Sequence, residues 1–232
     1  MSRQPLQIGV LAVQGDFDAH RRMLEALGAE VRDVRAPAQL EDLDGLVIPG
    51  GESTTISKGM ARDGLDQAVR DHVAKGRPIL GSCAGMIVCD RNHLALADYT
   101  CRRNAFGRQL HSFEQDLRIE GLGDEPLRAV FIRAPWIEEA GEGVEILAEI
   151  DGHPVAVRDG DILAVAFHAE LTDDERLHAR FMAMCTTASP STRTSSGTNP
   201  ATSSGTNPAT SSAARPGVRG DGSTEPGSLG DL

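Results

Sequence analysis

Short apolar or alternating stretches bounded by turn formers recur through the first part of the chain, at Leu6 to Val13, Glu30 to Val34, Gly45 to Ile48 and Pro78 to Gly81. Their length and flanks predict strands. Between the first two, Met23, Leu24 and Leu27 recur at helical spacing over His20 to Leu27, and the pattern stops at Gly28, a helix C-cap signal. A second helix is predicted from Leu65 to Lys75, ending at Gly76. Strand, helix, strand with short links implies parallel pairing through right-handed crossovers, which covers both faces of the sheet. Farther along, Asp151-Gly152 and Asp159-Gly160 separate short β-rich runs at hairpin spacing, so antiparallel strands are expected there. Thr172 followed by Glu175 is a capping-box pattern opening a last helix through Met184. The expected fold is α/β: three layers, a mostly parallel central sheet with helices on both faces, and an antiparallel β extension.

The pattern ends near residue 187. From Ala188 the chain is Ser, Thr, Gly, Pro and Ala without an aromatic residue, and TSSGTNPA occurs twice in succession at Thr194 to Ala201 and Thr202 to Ala209. Such a segment has too little apolar surface to offset the entropy of ordering it. The expected organisation is one folded domain over 1–187 and a disordered low-complexity tail over 188–232.

Charge narrows the function classes. The net charge is −11 with a pI near 5.1, and three arginines balance three carboxylates in the tail, so the excess sits on the folded part. Binding to nucleic acid or an anionic membrane rests on clustered Lys and Arg, and neither partner is expected. No apolar run approaches the roughly 18–20 residues that cross a bilayer, and the start lacks a secretory-signal pattern. Cys83, Cys89, Cys101 and Cys185 form no CxxC pair. They are read as reduced thiols in a cytoplasm. No His/Cys/Asp/Glu group has metal-ligand spacing, so no metal or other cofactor is expected.

The chemistry is concentrated at Ile79 to Ile87, an apolar strand that enters Gly81-Ser82-Cys83-Ala84-Gly85 and leaves as an apolar helix. This has the form of a nucleophile elbow with cysteine in the serine position. Gly81 and Gly85 are required where the flanking chains pass too close for a Cβ. The following helix directs its N-terminal partial positive charge at Cys83 and primes the sulfur for attack. A cysteine between Gly and Ala can also be a small buried hydrophobe. Cys89, Cys101 and Cys185 lack the elbow context and are read as inert.

A thiol nucleophile needs a base, and the base an orienter. His20, His72 and His178 sit on predicted helices rich in charge and are read as solvated; His93, His111 and His153 fall in loop or hairpin surroundings without a nearby carboxylate pattern. His168 instead follows the run Ile162 to Phe167 at a strand's carboxyl end, where catalytic groups gather in parallel sheets. Glu170, two residues on, can hold one imidazole nitrogen while the other faces Cys83. Cys83, His168 and Glu170 form the candidate triad. Pro49 to Thr55 follows the third strand and leads into a helix, which makes the backbone N–H groups of Gly51 and Ala84 candidate oxyanion donors. Glu52 could receive a substrate amino group. A phosphate-cradling loop is excluded, because the GxxxxGK[ST] pattern is absent.

Together, Pro-Gly-Gly-Glu-Ser-Thr-Thr at 49–55, Gly-Ser-Cys-Ala-Gly at 81–85, Arg-Arg-Asn-Ala-Phe-Gly-Arg-Gln at 102–109, Phe-Ile-Arg-Ala-Pro at 131–135 and Phe-His-Ala-Glu-Leu at 167–171 resemble the glutaminase subunits of pyridoxal 5′-phosphate synthase, within the class I glutamine amidotransferases. The resemblance runs from about Ile8 to Met184. It implies Cys83 as nucleophile, His168 as general base and acid and Glu170 as its orienter, with Gly50, Gly51, Glu52, Arg103, Ile132 and Arg133 holding L-glutamine. It implies Gln14 at the interface with a separate synthase subunit, to which ammonia from the glutamyl thioester is passed for vitamin B6 synthesis.

Two features depart from the family pattern. The stretch from Cys83 to Arg103 is several residues shorter, and Ala169 stands where the family typically has proline. The shortened stretch keeps open a non-catalytic partner that docks without cleaving, and the superfamily-wide elbow keeps open another cysteine hydrolase acting on a different amide or γ-glutamyl compound.

Overall fold

The computed structural model describes residues 4–107 and 112–188. His111, the Arg108-Gln109 end of the 102–109 motif and the tail expected beyond Ala188 lie outside the described residues.

The predicted strands form β1 (Gln7–Leu11), β2 (Glu30–Val34), β3 (Gly45–Ile48) and β4 (Ile79–Ser82). α1 (Phe17–Ala26) joins β1 to β2, and α2 (Ser53–Arg62) and α3 (Leu65–Ala74) join β3 to β4. α4 (Ala84–Cys89) follows β4. Then come β5 (Tyr99–Arg102), β6 (Ser112–Leu117), β7 (Leu127–Ile132), β8 (Trp136–Ala140), β9 (Glu145–Ile150), β10 (His153–Asp159), β11 (Ile162–Val165) and α5 (Arg176–Thr187).

Among the described residues, seven strands build one sheet in the order β2-β1-β3-β4-β11-β10-β9. β2, β1, β3, β4 and β11 run parallel, and β10 and β9 add antiparallel to β11. The chain steps one way from β1 to β2 and the other way from β3 to β4, so right-handed crossovers put α1 on one face and α2 and α3 on the other. Contacts agree: α1 meets α5, while α2 meets α3 and α4. The inner strands β3, β4 and β11 are buried at every residue, as a sheet covered on both faces requires, whereas edge strand β2 alternates exposed and half-buried positions.

The turns behave as their residues dictate. Gly28 and Gly76 follow α1 and α3 at φ 89° and 70°. Asp151-Gly152 joins β9 to β10 with both residues at positive φ, the type I′ signature that matches strand twist. One start signal fails. Thr172 and Glu175 form no capping box: Thr172 closes a 3-10 turn over Ala169–Leu171, and α5 begins only at Arg176, whose N–H is accepted by Asp174 Oδ1 at 3.0 Å. The 3-10 turn uses up the residues that the pattern assigned to the first helical turn.

Three histidines read as solvated are core residues. His20 and His178 have no exposed surface and His72 only 4%. Burial, helped by Arg77 and Lys75, lowers His72 to about 4. His93 also differs from its reading, because Nδ1 lies 2.7 Å from Asp90 Oδ1.

Candidate active site

The site forms where the carboxyl ends of β4 and β11 lie side by side. The two strands pair with Val165 opposite Ser82, so the residues that leave the sheet next, Cys83 on one and Ala166 to His168 on the other, emerge together. Cys83 N–H donates to Val165 O at 2.8 Å, and His168 N–H donates to Val130 O at 2.8 Å. Cys83 itself sits at φ 50°, ψ −102° between β4 and α4. A non-glycine residue held there is strained, and such strain persists where surrounding structure fixes it. The turn fits because a Cβ at Gly81 would come 2.9 Å from the Gly85 carbonyl, and one at Gly85 would collide with the Ile48 carbonyl oxygen. Gly85→Ala should therefore cost about 2–3 kcal/mol, seen as a clear drop in Tm. Gly143→Ala, where a Cβ meets nothing within 4 Å, should change Tm little.

His168 Nδ1 lies 2.7 Å from Glu170 Oε1, which leaves Nε2 for Cys83. Gly50 closes the cluster: a Cβ there would lie 2.9 Å from His168 Nδ1 and 3.3 Å from Cys83 Cβ. Burial opposes charging His168, but hydrogen bonding to Cys83 and Glu170 and their negative charge override it and raise the imidazole to about 10. Burial likewise works against the Glu170 carboxylate, yet His20 and His168 hold it well below the usual carboxylate range. The imidazole thus holds a proton at neutral pH beside a sulfur that is 5% exposed and lies 3.9 Å from Ile132 O. Cys89 and Cys185 are different: burial, with Asp90 and Asp44 respectively adding to it, pushes each thiol up to about 12. Cys101 moves the same way.

A cleft of about 280 Å³ opens over the sulfur, lined by Gly51, Glu52, Ala84, Arg103, Arg133 and His168 among others. Ala84 is the first residue of α4, where backbone N–H groups have no helical acceptor. Glu52 caps α2, accepting from the N–H of Thr54 at 3.1 Å and of Thr55 at 2.7 Å. The Thr55 hydroxyl and these two N–H groups bring its carboxyl down to about 2. Arg103 donates to Glu52 Oε1 at 2.9 Å and to Thr54 Oγ1 at 3.2 Å. This pair of opposite charges on the cleft wall matches the ammonium and carboxylate of an α-amino acid. Ile132 is 36% exposed on the rim, and Arg133 beside it takes φ 47°. Gln14 is half-buried, and its Oε1 accepts from Glu52 N–H at 2.7 Å. The geometry thus gathers the site residues expected from the sequence: Glu170 is buried behind His168 and Gly50 packs against the His168 ring and Cys83, while the rest line one opening.

The shortened stretch after Cys83 is closed rather than broken. All six residues of α4 are buried, and Asp90 ends the helix by accepting from Asn92 N–H and Cys101 N–H at 2.9 and 3.1 Å. Tyr99 donates to Met86 O at 2.9 Å from beneath. Ala169, in place of the family proline, is buried in the 3-10 turn.

Comparison with known proteins places this architecture. A model of the SNO glutamine amidotransferase family matches residues 10–187. The chain belongs to that family. The pyridoxal 5′-phosphate synthase subunit PdxT of Halorubrum lacusprofundi is 52% identical over 186 residues, covering 75% of this chain and 94% of that protein. The PdxT of Mycolicibacterium vanbaalenii is 52% identical over 189 residues, covering 76% and 96%. A crystal structure of a glutamine amidotransferase superposes with a TM-score of 0.72 at 45% identity, over 77% of this chain and 98% of the other. PurLQS from Thermotoga maritima shares the fold at 15% identity with a TM-score of 0.64, covering 78% of this chain and 99% of that one.

Within this family frame, sequence reasoning missed the residues that support the triad. Ser82 Oγ lies 3.1 Å from Phe167 O and 3.0 Å from Glu170 Oε2, its single hydroxyl hydrogen placed between the two acceptors, and so ties the two strand ends together. Phe106 packs against Phe113, Phe131 and Trp136 at 5.0–5.6 Å between ring centroids, which anchors the segment carrying Arg103. The serine could have been found from its place inside the elbow motif; the aromatic cluster has no local signature.

Proposed function

We propose that the chain is the glutaminase subunit of a pyridoxal 5′-phosphate synthase, hydrolysing L-glutamine to L-glutamate and ammonia in the cytoplasm and passing ammonia to a synthase subunit docked on it. The observation that supports it most is the placement of Cys83, His168 and Glu170 at one sheet edge beneath a wall of paired Glu52 and Arg103. Cys83 Sγ attacks the side-chain carboxamide carbon, forming the S–C bond. The resulting oxyanion faces the N–H groups of Gly51 and Ala84. As the C–N bond breaks, His168 gives its proton to the leaving nitrogen, which departs as ammonia. Neutral His168 then takes a proton from water, whose oxygen attacks the thioester carbonyl, and glutamate leaves as the S–C bond breaks. Gln14, bonded to the Glu52 backbone, links the glutamine turn to the face assigned to the synthase subunit.

The test is glutamate release from glutamine by the full chain, with and without a synthase subunit. Turnover that depends on glutamine and rises on docking supports the reading; docking without glutamate release, or preference for another γ-glutamyl compound, overturns it. In the same assay Arg103→Ala removes the cation paired with Glu52, and KM for glutamine should rise about 10- to 100-fold with kcat changed far less, as expected for losing a charge-assisted contact of about 1.5–3 kcal/mol.

A further inference from the structure

The Glu170 carboxylate does not end the polar chain behind Cys83. Its Oε2 lies 3.2 Å from His20 Nε2, and His20 Nδ1 lies 2.8 Å from His178 Nε2. His20 is on α1 and His178 on α5, 158 residues apart, and neither has exposed surface. We propose that His20, backed by His178, is a positioning residue of the triad that fixes the second oxygen of Glu170 so that the first stays on His168. The proposal rests on the glutaminase reading above.

Two imidazoles in an apolar interface between helices are costly, since apolar side chains of similar size would fill the space without polar atoms to satisfy. Their polar contacts run one way, from His178 to His20 to Glu170. The hydrogen-bond pattern assigns the protons consistently. Facing a carboxylate, His20 Nε2 carries the hydrogen; His20 Nδ1 is then the acceptor, and His178 Nε2 the donor to it. That leaves His178 Nδ1 as a bare acceptor without a partner among the described residues, a cheaper orphan than a buried N–H. Burial lowers His178 to about 3, in keeping with a neutral ring. The approach of His20 Nε2 to Glu170 is bent short of a full hydrogen bond, so its effect is to orient the carboxylate beside the stronger Ser82 contact at 3.0 Å. The groups facing His20 are thus Glu170 and His178. On its own helix Arg21 turns to Asp18 and Asp33 instead.

With Ser82 as the sole partner of its second oxygen, the Glu170 carboxylate can still tilt about that contact and carry His168 with it. His20 on the same oxygen limits the tilt and keeps His168 Nε2 aimed at the sulfur, as outer partners do for ligands in other sites. The experiment uses the full chain with its synthase subunit, comparing wild type with His20→Leu, which keeps volume but removes the N–H, and His20→Gln, which restores a donor. His20→Leu should lower kcat about tenfold with KM within about twofold, and lower the pH at which the His168 imidazole titrates by NMR. His20→Gln should recover most of both. His178→Leu should act in the same direction more weakly, and it carries the test if His20→Leu does not fold. Wild-type kcat and His168 titration in His20→Leu overturn the proposal. So do equal losses of kcat in His20→Leu and His20→Gln with the titration unmoved, which would mark a packing role. If wild type releases no glutamate while the His168 titration still shifts in His20→Leu and returns in His20→Gln, the glutaminase reading falls and the positioning role stands.

Discussion

Cys83→Ala should abolish glutamate release, with kcat lower by about 100,000-fold or more, because no other group at the sheet edge can form the thioester. The remaining cysteines cannot substitute. Burial pushes Cys89 and Cys185 up to about 12 and Cys101 upward as well, and the cleft lining includes Cys83 and none of them. Glutamine binding by calorimetry should survive, since Glu52, Arg103 and the 50–51 turn are untouched. A second signature is specific to the pairing. Apart from the opposing effect of burial, the largest influence on His168 is its hydrogen bond to Cys83, so in Cys83→Ala the imidazole should titrate well below about 10. Iodoacetamide provides an independent check: wild-type chain should be alkylated first at Cys83, located by peptide mass mapping, and lose activity in step. Rapid loss of activity with label at Cys101 alone would contradict this assignment.

Much of the fold was legible because the buried parallel strands leave an unambiguous trace. β3 and β4 are short apolar runs with turn formers on their flanks, β11 is an apolar run opened by Asp159-Gly160, and the register of β4 on β11 brings Cys83 close to His168. The elbow glycines were legible for a local reason, since close approach leaves a residue type behind. What failed depends on partners distant along the chain. α1 and α5 carry enough charge for their histidines to look solvated, but His20 and His178 lie on the faces that meet each other. Asp90 fails for a different reason: its partners Asn92, His93 and Cys101 are close along the chain, but its burial to 1% exposure has no mark in the local pattern. The β5–β8 and β6–β7 pairings likewise join strands whose partners no short-range pattern names. A polar side chain states what it can bond to, and only the folded chain states whether that partner arrives.

Glu170→Gln should damage turnover less than Cys83→Ala does and stability more. The amide keeps the volume but removes the charge, and an NH₂ facing His168 Nδ1 selects the tautomer that presents the wrong nitrogen arrangement to Cys83, so kcat should fall about 100- to 1,000-fold. Stability should drop by about 3 kcal/mol near pH 6, because a buried carboxylate bound by His168, Ser82 and His20 is replaced by a group that satisfies fewer of them. The pH dependence follows from the direction of each shift. Glu170 is held below its ordinary 4.5, so its stabilisation is present above that value and is lost as pH falls toward the lower folded value. His168 is raised from 6.5 to about 10, so its stabilisation is complete below 6.5 and is lost as pH rises through about 10. The Tm gap between wild type and Glu170→Gln should therefore be widest between about pH 5 and 6.5, narrowing in acid as the wild-type carboxylate takes up its proton and in alkali as His168 gives its own away. A gap that stays constant across this range would mean that Glu170 contributes packing alone, and the charge balance assigned to the buried pair would be wrong.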